Sequence, residues 1–241
     1  MAKNVLAIIP ARGGSKRIPR KNVKKFCGRP LISYAIAQAL ASPIISRVIV
    51  DTDSPEVARV AKRYGAEVPW LRLPELATDT AQGVDAILHT LKRLKADEQY
   101  VPTHVMILQT TSPLREDKDI TACWGLMEKT DATTVLTVCP THPRLYHLSP
   151  KSDLILVNGS EDQSTNIQAW PVGFILNGCF VYIIKTPALL KEKRVITKKT
   201  KAVVCPKWRS VDLDTPEDWV LAEFLFQHKR EIASRLKRWS K

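Results

Sequence analysis

Nine basic residues (Lys3, Arg12, Lys16, Arg17, Arg20, Lys21, Lys24, Lys25 and Arg29) stand within the first 29 positions, and the first 50 contain no acid. A cluster of that kind offers one chemistry above others, the holding of a strongly anionic group. Its centre is the run Ala11-Arg12-Gly13-Gly14-Ser15-Lys16-Arg17-Ile18-Pro19-Arg20-Lys21-Asn22. Two glycines let backbone N–H groups reach a ligand unobstructed, while Arg and Lys neutralise the charge that gathers when a phosphoryl centre is attacked. The run therefore reads as a polyphosphate cradle, with a basic surface turn as the plain alternative. It fits neither the P-loop, G-x-x-x-x-G-K-[ST], nor the dinucleotide fingerprint, G-x-G-x-x-G opening a helix.

Such a loop needs a strand before it and helices around it. Val5 to Pro10, Arg47 to Asp51, His104 to Gln109 and Ala132 to Val138 are short β-branched or apolar runs that read as buried strands. Between them lie helical patterns: Leu31 to Ala41 opened by Pro30, Pro55 to Tyr64 capped by Ser54 and stopped at Gly65, Val84 to Leu94, and Asp117 to Glu128. Strand and helix alternate, which predicts an α/β fold with a mostly parallel sheet covered by helices. The stretch from about 140 to 173 breaks the alternation with four prolines and only short apolar pieces. It reads as an excursion that either covers the site or packs against a second subunit. Phe180 to Ile184, a short helix, Ala202 to Cys205 and a last helix from Pro216 resume the pattern. That last helix is expected to turn Trp219, Phe224, Leu225, Ile232 and Leu236 inward, leaving its many cations on a solvated face.

The 241 residues, 44% apolar and 25% charged with a net charge of +13, suit one globular domain spanning 1–241 and exclude a disordered chain or a disulfide scaffold. No apolar run approaches the roughly 20 residues that cross a bilayer, and Met1-Ala2-Lys3-Asn4 does not open a signal peptide, so a cytoplasmic protein without membrane contact is expected. Five scattered cysteines without a C-x-x-C pair read as reduced, buried thiols. The net charge permits polyanion binding, but no nucleic-acid motif accompanies it. The histidines show no metal spacing, and no general base stands out.

The run from Ile8 to Asn22 closely resembles the opening motif of the acylneuraminate cytidylyltransferases, the CMP-nonulosonate synthetases. Further blocks resemble the same family in the same order: Leu71-Arg72-Leu73-Pro74-Glu75-Leu76-Ala77 with Asp79-Thr80-Ala81, Leu108-Gln109-Thr110-Thr111-Ser112-Pro113-Leu114-Arg115, Leu176-Asn177-Gly178, and Val211-Asp212-Leu213-Asp214-Thr215-Pro216-Glu217-Asp218. The resemblance implies a three-layer, Rossmann-like nucleotidyltransferase fold. It also implies nucleotidyl transfer from CTP to the anomeric hydroxyl of a nonulosonic acid of the sialic, legionaminic or pseudaminic type, giving the CMP-sugar and pyrophosphate with Mg²⁺ or Mn²⁺. A homodimer built through the 140–173 excursion is expected with it.

By the same resemblance Arg12 and Lys21 hold the triphosphate, with loop contacts from Gly13, Gly14 and Ser15. Asn22, Arg72 and the backbone near Ala81 recognise base and ribose. An arginine fork and a lysine point charge are what that charge distribution requires. Gln109 ends a predicted strand, where an open α/β sheet places ligands, and the resemblance makes it a sugar contact together with Thr111, Ser112, Arg115, Gln168 and Asn177. Ser112-Pro113 reads equally as a turn and Arg115 as a surface cation. Gln168 closes an Asn166-Ile167-Gln168 block where the family commonly has Arg-x-Gln. Asp212 and Asp214 alternate on what is expected to be a strand end, putting both carboxylates on one side as the metal ligands. Thr215 to Asp218 also spell a helix start, with Thr215 as cap. The loop carrying Lys21 is expected to be exposed and free of core contacts. The alternatives on these residues are a GTP-using legionaminate guanylyltransferase, a cytidylyltransferase for another sugar acid, and a non-enzymatic polyanion binder on the same fold.

Overall fold

The computed structural model describes residues 4–157, 170–176 and 180–239. In chain order these form β1 (Val5–Pro10), β2 (Lys25–Phe26), β3 (Arg29–Pro30), α1 (Leu31–Ala41), β4 (Arg47–Asp51), α2 (Pro55–Arg63), α3 (Gly83–Glu98), β5 (His104–Ile107) and α4 (Asp117–Lys129). They continue with β6 (Thr134–Thr141), β7 (Tyr146–Leu148), β8 (Leu154–Leu156), β9 (Gly173–Ile175), β10 (Tyr182–Lys185), α5 (Thr186–Glu192), β11 (Thr200–Val204), α6 (Pro216–Gln227) and α7 (Lys229–Trp239).

The main sheet runs β11-β6-β10-β5-β1-β4, with β9 on the far end of β6. Strands β4, β1 and β5 are parallel, as are β6 and β11, while β10 is antiparallel to both its neighbours. The reversal has a simple cause. Among the described residues between β6 and β10 there is no helical crossover, and the chain re-enters the sheet as an antiparallel strand. Apolar residues of β1 point both ways: Val5, Ala7 and Ile9 meet α1, α2 and α4 on one face, and Leu6 and Ile8 meet α3 and α5 on the other. The predicted three-layer α/β arrangement is the one observed.

A third, smaller cluster gathers Ile18, Phe26, Leu31, Leu213, Trp219 and Ala222. It lies outside the main sheet and ties the segment after β1 to the segment before α6 by hydrophobic burial. The last helix differs from expectation. It breaks at His228, whose ring nitrogen lies 2.8 Å from the Phe224 carbonyl. The buried face of α6 is Trp219, Ala222 and Phe226, so Phe224 is 56% exposed and Leu236 of α7 42% exposed, rather than turned inward. The apolar residues of this region support two helical faces, and the face carrying Trp219 buries the larger aromatic surface. The excursion does leave the main layers: among the described residues β7 and β8 pair with each other and not with the main sheet.

Candidate active site

The basic run leaves β1 at its C-terminal end and is fixed by its own polar groups. The Gly13 N–H donates to the Asp53 carboxylate at 2.8 Å. A Cβ on Gly13 would stand 2.8 Å from the Cβ of Ser54, so this position must be glycine for packing, whereas a Cβ on Gly14 meets nothing. The Asn22 amide donates to the Arg12 carbonyl at 2.8 Å and accepts from the Thr110 hydroxyl at 2.6 Å. The segment is thus held at both ends, and the Gly13 N–H that was expected to face a ligand is taken by Asp53.

Opposite it runs the segment 211–214, between a 3-10 turn (Lys207–Arg209) and α6. It is not a strand, which corrects the expectation for Asp212 and Asp214. The Leu213 N–H donates to the Thr111 carbonyl at 3.0 Å, and the Leu213 carbonyl accepts from Lys21 Nζ at 2.6 Å. Alternating in the chain around that anchored residue, the two acids have different surroundings. Asp214 stands 3.5 Å from Lys21 Nζ and 3.4 Å from an Arg17 nitrogen. Asp212 is more enclosed; its Oδ1 is buried with no hydrogen-bond partner, and burial pushes its carboxyl up against the opposing hydrogen bond from Thr111. Lys21 is correspondingly not exposed: its side chain is only 14% accessible.

A cavity of about 360 Å³ separates the two segments, lined by Arg12, Lys16, Arg17, Lys21, Asp79 and Asp214 among others, with Ser15, Asn22 and Thr111 in its walls. Four cations against two acids make it strongly anion-seeking. Arg12 and Lys16 hold Asp79 at 2.9 and 2.5 Å, and those cations, Lys16 first, keep its carboxyl below the usual range. A second cavity of about 460 Å³ adjoins at Pro10, which lines both. Gln109 faces this one, with apolar walls from Val84, Ile87, Tyr182 and Ile196 and cations from Lys193 and Arg194. Both lie beyond the C-terminal ends of β1 and β5, where an open α/β sheet accepts ligands. Asp212 and Asp214 are hard oxygen donors, and the orphaned Asp212 oxygen fits a Mg²⁺ or Mn²⁺ completed by phosphate and water. Among the described residues no three His, Cys, Asp or Glu side chains gather as a fuller metal site.

Several expected contacts take another form. Arg115 is not a surface cation: it is 3% exposed, donates to the carbonyls of Gln109 and Phe180 at 3.1 and 2.7 Å and to Gln38 at 2.9 Å, and burial pushes its pKa down to about 10. It therefore supports Gln109 from beneath. Ser112 is likewise buried. Arg72 gives Nε to an Asp51 carboxylate oxygen at 3.0 Å and Nη2 to the Asp51 carbonyl at 2.9 Å, so only Nη1 is left to face a base. The Ala81 N–H is taken by the Thr78 hydroxyl at 3.1 Å. Gln168 and Asn177 lie outside the described residues.

Sequence reasoning missed Asp53, Asp79, Lys16 and Arg17 as site residues, and Lys193 and Arg194 in the second cavity. Lys16, Arg17 and Asp79 stood inside the motif blocks and were legible there; the others carry no local signal. Also missed was Arg209, 2% exposed, which forks onto both Asp119 oxygens at 2.7 and 2.8 Å and reaches the Leu114 carbonyl at 3.2 Å. It braces the acidic segment against the loop after β5.

The family profile described as cytidylyltransferase matches residues 6–151. The CMP-N,N'-diacetyllegionaminic acid synthase of Legionella pneumophila is 33% identical over 231 residues, covering 94% of this chain and 98% of that protein. The pseudaminic acid cytidylyltransferase of Campylobacter jejuni is 30% identical over 231 residues, covering 95% and 98%. Among solved structures, CMP:2-keto-3-deoxy-manno-octonic acid synthetase complexed with CTP superposes with a TM-score of 0.68 over 94% of this chain and all of that one, at 16% identity, a likeness of fold.

Proposed function

The chain belongs to the cytidylyltransferase family, and on that premise we propose that it transfers the cytidylyl group of CTP to the anomeric hydroxyl of a nonulosonic acid, releasing pyrophosphate. The observation that carries this reading is the pair of adjoining cavities, one ringed by Arg12, Lys16, Arg17 and Lys21, the other combining Gln109, two cations and apolar walls. A nonulosonic acid carries a carboxylate, several hydroxyls and apolar acyl groups. Charge, a side-chain amide and apolar surface are the complements it needs.

In this reading Arg12 and Lys21 neutralise the triphosphate and the charge that develops as the bond from the α-phosphorus to the pyrophosphate oxygen breaks. Asn22 fixes the loop that presents Arg12, and Gln109, set by Arg115, orients the sugar at the boundary of the cavities. The remaining Nη1 of Arg72 contacts the base side. Asp212 and Asp214 would hold the divalent cation, which when bound supplies charge neutralisation on the phosphate oxygens. A homodimer is supported by the exposed apolar side chains Leu148, Leu154, Val157, Val172 and Phe174 on β7, β8, β9 and their flanks. CTP use and the buried, unpaired thiols Cys123, Cys139 and Cys205 suit the cytoplasm.

The test is pyrophosphate release with Mg²⁺ across CTP, GTP, UTP and ATP against sialic, legionaminic, pseudaminic and eight-carbon keto acids. Release confined to CTP with one nine-carbon acid is the expected result. A GTP signal would reassign the base, and silence across the grid from folded protein would leave a polyanion binder.

A further inference from the structure

Two acids line the cationic cavity, and each is clasped by a pair of cations from the basic loop: Asp214 by Arg17 and Lys21, Asp79 by Arg12 and Lys16. Their settings differ. Asp214 has Asp212 two residues away, with a buried oxygen that no protein donor satisfies. Asp79 is carried between a 3-10 turn (Pro74–Leu76) and α3, and among the described residues Asp214 is the one other acid in the lining. Among the described residues Asp79 belongs to no cluster of three potential metal ligands. Its side chain is half exposed and its neighbours Thr78, Thr80 and Ala81 are joined through the Thr78 hydroxyl at the surface, so the Asp79 side chain is placed to turn away without disturbing the core.

We propose that Asp79 is an affinity-determining residue, an internal anion that occupies the cations through which a polyphosphate is bound. This rests on the reading of the cavity as the triphosphate site. A phosphate on Arg12 and Lys16 competes with the Asp79 carboxylate for the same cations, because two anions a few Å apart in one half-enclosed cavity repel. Polyphosphate entry then exchanges one anion for another. The depressed carboxyl of Asp79 reports the same clasp. Its function is to weaken nucleotide and pyrophosphate binding. The exchange lets the departing pyrophosphate be displaced by a carboxylate of the protein itself, so release need not await dilution into solvent.

The expectation runs opposite to that for a substrate-binding residue. Asp79→Asn keeps the shape, removes the competing charge and should tighten binding of inorganic tripolyphosphate by about two- to tenfold, the range set by exposed ion pairs. The measurement is calorimetric titration of tripolyphosphate, in EDTA and then with Mg²⁺, into wild type, Asp79→Asn, Arg12→Gln and the double variant. Tighter binding by Asp79→Asn under both conditions, with a smaller gain once Arg12 is replaced, supports the proposal. Equal or weaker binding by Asp79→Asn overturns it. So does a gain in EDTA that turns to a loss with Mg²⁺, which would make Asp79 a metal ligand. If wild type and Arg12→Gln bind tripolyphosphate alike, the cavity is not the polyphosphate site, and the proposed function falls along with this inference.

Discussion

The ammonium of Lys21 donates to the carbonyl of Leu213 at 2.6 Å, midway in sequence between the two acids of the segment that faces it. One side chain thereby fastens the basic loop to the acidic one and still presents its charge to the cavity.

Lys21→Ala should consequently do two things at once. Turnover at saturating CTP should fall by about 100-fold or more, as for loss of a transition-state charge partner. Stability should fall by about 1–3 kcal/mol, because the Leu213 carbonyl loses a charged donor. Steady-state kinetics and a denaturant midpoint measure the two separately; undiminished turnover would remove Lys21 from the chemistry.

The two glycines of the loop should respond differently to a methyl group. Gly13→Ala places a carbon 2.8 Å from the Ser54 Cβ and must shift the loop, raising KM for CTP by about 10- to 100-fold, the effect of misplacement near 1 Å. Gly14→Ala meets nothing and should alter KM by less than about twofold. Ser54→Gly combined with Gly13→Ala should recover most of the loss, at a helix-capping cost of a few tenths of a kcal/mol.

Arg209 and Asp119 form a buried ion pair, 2% and 4% exposed. Arg209→Met should destabilise the chain by about 3–5 kcal/mol, since a buried carboxylate is stranded. Arg209→Met with Asp119→Leu should regain much of this, less the cap that Asp119 gives the Glu116 N–H. Chemical denaturation of the three variants decides it, and a single variant as stable as wild type would refute the pairing.

What the sequence made legible was local. The strand Val5–Pro10 and helix Leu31–Ala41 lie where their periodicity put them, because a buried strand and a one-sided helix leave their signatures in neighbouring residues. The basic loop was legible for the same reason. What escaped were pairings across the chain: Arg115 read equally as a sugar contact or a surface cation, because nothing nearby announces that its partners are the carbonyls of Gln109 and Phe180. Asp212 and Asp214 look like an alternating strand, yet the segment is held by Thr111 and Lys21, not by a ladder. In α6 the apolar residues outnumber the available core, and only packing chooses Trp219 over Phe224.

Removal of the proposed metal ligand should be visible in ion dependence. Asp214→Asn is expected to raise the Mg²⁺ concentration for half-maximal pyrophosphate release by about tenfold or more, one oxygen ligand being lost from a set of two carboxylates. A Mg²⁺ titration of the rate measures it, and an unchanged midpoint would move the metal site elsewhere.

Alkaline pH should expose a different weakness. Burial raises the hydroxyls of Tyr34 and Tyr100 above the ordinary phenol range, so the folded chain keeps protons that the unfolded chain gives up. Their contribution is fully present below about pH 10 and is lost as pH climbs through the raised folded values. Phenolate absorbance followed beside circular dichroism should show these two tyrosines ionising at higher pH in the folded chain than in the unfolded one. Replacing Tyr100 by Phe should move the alkaline transition upward; an unmoved or lowered transition would refute the linkage.

The small cluster in which Ile18 meets Leu213 and Trp219 sets a schedule for the newborn protein. Lys21 and Leu213 are 192 residues apart, so a ribosome adding about 5–20 residues per second leaves the basic loop waiting about 10–40 s for its counterpart. Throughout that interval the nascent chain carries a cationic arm that can meet Asp79 but lacks Leu213 and Trp219 of its apolar seat and the carboxylate of Asp214. A chain extended only as far as residue 212 contains every strand through β11 in its sequence but lacks the carbonyl that anchors Lys21.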